Sequence, residues 1–98
     1  MSLTKNEEYS PIVEIGLGSV AKLKILRLML KRREHAFSFY ELEQKVSVNS
    51  VSIRAHITDL KEVGWVEELP YTPRKYRVNL GNDVVKQVLA LFKSTRYV

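Results

Sequence analysis

The sequence predicts a mainly α-helical domain with one small β-hairpin, in the order helix, short strand, helix, helix, strand, strand, helix. Three observations carry this expectation. Apolar residues recur at helical spacing in four segments; two short alternating segments flank a loop with two prolines; and Ser19, Ser38, Asn49 and Asn82 stand where helix N-caps belong. A chain of 98 residues, 45% hydrophobic and 28% charged, has room for one modest core.

The first helix follows "GLGS" and runs over about residues 20–34, with Ser19 as its N-cap. Leu23, Leu26, Leu28, Met29 and Leu30 cover most of its circumference, so it is central to the core. Lys24, Arg27 and Lys31 fall in a single wet stripe. A short strand at Ala36 and Phe37 is placed to pair with the hairpin. "SFYELEQKV" then sets Glu41 three residues after Ser38, a capping box in which each side chain satisfies the other's backbone N–H. The second helix covers about residues 39–46, with Leu42 and Val46 pointing inward.

Asn49 caps a third helix that runs to Val63 and stops at Gly64, the residue type favoured for a left-handed C-terminal position. Ile53, Ile57 and Leu60 lie within about 40 degrees of one another on its inner face. Val51, Arg54, Ala55 and Thr58 therefore share the far side. "WVEEL" and "KYRVN" read as two strands, because the prolines of "PYTPR" between them forbid a continuous one. Asn82 opens a last helix whose stripe is Val85, Val88, Leu89 and Phe92, widened by Val84 and Leu91. That arc is broader than one packing surface needs, which favours a symmetric dimer. For Trp65, Tyr76 and Tyr40 the expectation is packing in the core or against the sheet.

The chain divides into an N-terminal extension over residues 1–17, a central domain over 18–80 and the C-terminal helix over 81–98. Ile12, Val13 and Ile15 are the candidate anchor of the extension. No apolar run is long enough to cross a bilayer, and the N-terminus lacks the pattern of a signal peptide, so the cytoplasm is expected, with no membrane partner. Cysteine is absent, which removes disulfides and thiolate chemistry, and His35 and His56 stand too far apart for a local zinc pair. No metal, no cofactor and no catalytic residue set is expected, hence no enzyme. The net charge is +5, and residues 18–33 carry basic side chains without an acidic one. Such an imbalance suits an anionic partner.

Taken together, "KILRLML", "FSFYELEQKVSVNSVSIRAHITDLKEVGWVE" and "YRVN" resemble the first helix, the helix-turn-helix and the closing wing strand of winged helix-turn-helix domains, of the kind found in ArsR-like and MarR-like transcription regulators of archaea and bacteria. The resemblance covers roughly residues 18–80. It implies binding of double-stranded DNA, with the third helix in the major groove. A helix about 10 to 12 Å across fits that groove, and here its N-terminal half presents Asn49, Ser50, Val51, Ser52, Arg54, Ala55 and Thr58. Arg54 alone among these has the paired donors that read guanine, whereas Val51 and Ala55 match thymine methyls. The arginine stands one place earlier than in the Ser-Arg-His-Leu common in the family. The resemblance also implies phosphate or minor-groove contacts from Arg74, Lys75 and Arg77 in the wing, and a homodimer through Val84, Val85, Val88, Leu91 and Phe92. A nucleoid-associated regulator is the expected function; a winged helix serving as a protein-protein interaction module is the alternative, favoured by the zero net charge of residues 49–66.

Overall fold

The computed structural model describes residues 15, 17–46 and 50–98. It contains α1 Val20–Lys31, α2 Phe39–Lys45, α3 Ser50–Glu62, β1 Val66–Leu69, β2 Lys75–Val78 and α4 Asp83–Ser94, so the chain is mainly helical with one antiparallel hairpin. Asn49, the expected cap of α3, lies outside the described residues, as do Ile12 and Val13. Ile15 is exposed rather than anchored, and Leu17 packs against the core in its place.

Ser19 caps α1 by accepting the Lys22 N–H at 3.0 Å. The helix ends at Lys31, earlier than its apolar pattern suggests. The cause is Phe37, fully buried and joined to Tyr76 by two backbone hydrogen bonds of 2.7 Å, because extended backbone there forces residues 32–34 into a turn. Only Phe37 pairs, so the short strand expected at Ala36 and Phe37 is a single bridge. The capping box of α2 is complete: Glu41 N–H donates to Ser38 Oγ at 3.2 Å, and Ser38 N–H to Glu41 Oε1 at 3.3 Å.

At the end of α3, Gly64 adopts φ 80°, its N–H donates to the Lys61 carbonyl and the Trp65 N–H to the Leu60 carbonyl. That is a Schellman ending, which satisfies two carbonyls the helix would otherwise leave open. The Gly64 carbonyl then accepts from the side chains of Asn79 at 2.9 Å and Asn82 at 3.3 Å. Asn82 also caps α4, its Oδ1 accepting the N–H groups of Val84 and Val85. One peptide group thus ties the end of α3 to the exit of the hairpin and the start of α4.

The hairpin pairs Val66 with Val78, Glu67 with Arg77, Glu68 with Tyr76 and Leu69 with Lys75. Val66, Tyr76 and Val78 are buried against the helices. From α1 come Ile25, Leu26, Met29 and Leu30, from α3 Ile53, Ile57 and Leu60, and all are at most 1% exposed. Lys22 is buried as well, with its Nζ 2.8 Å from Asp59 Oδ2, and this pair clips α1 to α3. The last residues fold back: Tyr97 sets its ring edge-on against Phe92 at 4.8 Å, and its carbonyl accepts from Arg27 Nε at 2.7 Å.

Replacing Gly64 with alanine forces an L-residue to hold φ 80° and sets a Cβ 3.4 Å from Asn82 Nδ2. The expected loss is about 1–2 kcal/mol of stability, read from urea unfolding. A loss no greater than that of the exposed-site control Lys93→Ala would contradict the role given to this ending.

Candidate functional site

Because Ile53, Ile57 and Leu60 are buried, α3 is fixed about its own axis and its opposite face is turned outward. Val51 is 77% exposed, and Arg54, Ala55 and Thr58 are exposed beside it. Ser52 is half-buried at the edge of this face. Ser50 begins the helix.

Arg54 lies with its guanidinium carbon 4.5 Å from the centroid of the Phe39 ring, at the start of α2. Phe39 packs in turn on Tyr76 of β2, ring centroids 4.8 Å apart. Among the described residues no carboxylate forms an ion pair with Arg54. Asp59, on the same helix, is held by Lys22. Thr58 donates its hydroxyl to the Arg54 carbonyl at 2.8 Å, a bond within the helix that does not involve the guanidinium.

A groove runs between α2, α3 and the hairpin, lined by Tyr40 and Glu43, by Arg54, Thr58 and Lys61, and by Glu68, Pro73 and Arg74. Glu68 is its electrostatic centre, at 3.1 Å from Lys61 Nζ and 3.6 Å from Arg74 Nη1. The Lys61 hydrogen bond is the main reason its carboxyl is held below the usual range, with the charges of Lys61 and Arg74 adding to it. Burial, and then Glu68, push the Tyr76 hydroxyl up. Tyr40 is 69% exposed on the groove's rim, which corrects its expected packing in the core or against the sheet. The signal was present: Leu42 points inward, and at 100 degrees per residue Tyr40 falls on the far side of the helix.

The three hairpin cations do not share one face. Arg74 is in the groove, its side chain 70% exposed. Arg77 lies on the opposite face, beside Arg33 and Glu34, because strand alternation sets it against its buried neighbours Tyr76 and Val78. There it pairs with Glu67 directly across the strands, Nε at 2.9 Å and Nη2 at 2.7 Å from one carboxylate oxygen. Lys75 shares that face by alternation and approaches the Tyr71 ring at 5.8 Å.

The expected dimer surface on α4 is also redrawn. Val85, Val88 and Phe92 are 1%, 6% and 4% exposed in the chain's own core. They belong to the chain's own core, and of the residues expected at the dimer surface only half-buried Val84 and Leu91, 51% exposed, reach the outside of α4. On α1, Lys24, Arg27 and Lys31 are exposed and share a shallow cleft with Lys45. None of the described helices is long and apolar enough to cross a membrane.

No protein-family model, no characterised protein sequence and no solved structure matches this chain.

His56, half-buried on the side of α3 near Lys22 and Asp59, has a buried Nδ1 without a hydrogen-bond partner among the described residues. Burial first and the Lys22 charge second lower its pKa from 6.5, against an opposing effect of Asp59. As pH falls through 6.5, the unfolded chain takes up this proton before the folded chain does, so the contribution to stability is present above that value and declines toward the lower folded one. Denaturant unfolding at about pH 7.5 and about pH 5.5 is expected to show a larger loss for the unaltered chain than for His56→Gln. Equal losses would contradict it.

Proposed function

We propose that this chain is a winged helix-turn-helix domain that binds double-stranded DNA as part of a cytoplasmic, nucleoid-associated regulator of transcription. In this reading α3 enters the major groove and the hairpin is the wing. The observation that carries it is the outward face of α3, exposed along its N-terminal half, with Arg54 presented on Phe39 and paired to no carboxylate among the described residues. Arg74 stands across the groove to meet phosphate. Arg77, paired and facing away, has no part in it. Self-association belongs to the same proposal with its apolar surface narrowed to Val84 and Leu91.

A second reading, a module that binds another protein, is favoured by the exposure of Val51 and Tyr40 and by the carboxylates that accompany Arg74 and Arg77.

Fluorescence anisotropy with mixed-sequence duplexes over a range of salt distinguishes the two. Duplex binding is expected with a shallow log–log salt slope of roughly −2 to −3, since few cations reach phosphate. Arg54→Ala is expected to weaken binding to a preferred site by about 1–3 kcal/mol. Arg74→Ala lowers affinity on all sequences, and Arg77→Ala leaves it unchanged. An absence of binding at low salt by the folded chain would reject the duplex reading in favour of the second.

A further inference from the structure

Resting on the duplex reading, we infer that the outward face of α3 selects a guanine flanked by thymines, with Phe39 as the residue that positions Arg54 for the guanine. The inventory of the face is short. Val51 and Ala55 have no polar side-chain atoms, and the Thr58 proton is already donated to the Arg54 carbonyl. Arg54 is therefore the source of strong N–H donors among the exposed residues of this half-helix, and carbon makes up most of the rest, beside the Thr58 oxygen.

Base edges in the major groove differ in what they ask for. Guanine presents two acceptors, O6 and N7, which match the forked edge of a guanidinium; thymine presents a methyl group, which matches Val51, Ala55 and the Thr58 methyl; adenine and cytosine present amino donors that need a side-chain acceptor. The carboxylates of α3 and the hairpin are engaged or displaced. Asp59 is held by Lys22, Glu68 by Lys61 and Arg74, and Glu62 lies at the far end of the helix. The strongest matches of this face are therefore guanine, for Arg54, and thymine, for the methyl-bearing residues.

Phe39 supplies the geometry. With its central carbon 4.5 Å from the ring centroid, the guanidinium is held over Phe39 by cation–π attraction, which consumes none of the N–H groups in a carboxylate pair. The ring itself packs on Tyr76, 5% exposed in the core. An arginine held in this way has less rotamer freedom to lose on meeting a base than one in open solvent. Seven residues separate Val51 from Thr58, a rise of about 10 Å, which spans roughly three base pairs. The guanine and its thymines accordingly fall within three or four consecutive pairs.

The test is a selection of randomised duplexes by the full chain, followed by atomic substitution in the sequence that is enriched. The expected element has a guanine with thymines within two pairs of it. Replacing a contacted thymine with uracil is expected to weaken binding about fourfold, the effect of losing one buried methyl. Replacing the guanine with 7-deazaguanine weakens it about five- to tenfold. Arg54→Lys and Phe39→Leu are expected to keep affinity for mixed-sequence duplex while losing the preference for guanine, and Phe39→Tyr to retain that preference. A purely structural role for Phe39 would lower both affinities together. Enrichment of a motif without guanine, or indifference to uracil, overturns this inference while leaving duplex binding in place. Failure to bind any duplex removes the reading beneath it.

Discussion

The burial of Ile53, Ile57 and Leu60 fixes which way α3 faces, and the candidate site depends on that rotation. Three large aliphatic side chains on one side of a helix contribute several kcal/mol by leaving water, far more than any surface contact on the other side can offset. The helix cannot turn without exposing them. Two further constraints act on the same element. The Lys22–Asp59 pair holds its side against α1, and the Gly64 ending, gripped by Asn79 and Asn82, sets where the hairpin leaves it. The face with Val51, Arg54, Ala55 and Thr58 is thus the remainder of a packing solution, presented to solvent on a rigid element.

Electrostatics sort the cations around this face. Most basic side chains near the hairpin have a carboxylate at hand: Arg77 has Glu67, while Lys61 and Arg74 share Glu68. Such exposed pairs add little stability, but they reduce the field that the hairpin projects. Arg54 differs in being held by a ring rather than by an acid, so its charge and donors are not cancelled. A domain built in this way projects only a weak long-range field, in keeping with its modest net charge of +5, and keeps one uncancelled guanidinium at close range.

Local features were legible in the sequence, and features that depend on how elements meet were not. Ser38 with Glu41, Gly64 and Asn82 specify their caps through bonds spanning a few residues, so each could be placed by spacing alone. The stripe of α4 was equally visible, yet the same pattern serves a chain's own core and a partner's, and the structure uses Val85, Val88 and Phe92 for the former. Grouping Arg74, Lys75 and Arg77 by charge overlooked the alternation that sends Arg77 to the other side of the hairpin. Lys22 with Asp59, Arg54 with Phe39 and the return of Tyr97 to Arg27 join residues far apart in the chain, and no local spacing encodes them.

The most direct test of the proposed face is a titration of the isotopically labelled chain with a short DNA duplex, followed by amide and arginine side-chain NMR. The expected result is that shifts concentrate on Val51, Arg54, Ala55 and Thr58 and on the hairpin loop around Arg74, while Leu91 of α4 and the Lys24 and Lys31 stripe of α1 stay in place. Shifts centred on that α1 stripe, with the outward face of α3 undisturbed, would contradict the assignment of α3 as the element that meets the partner.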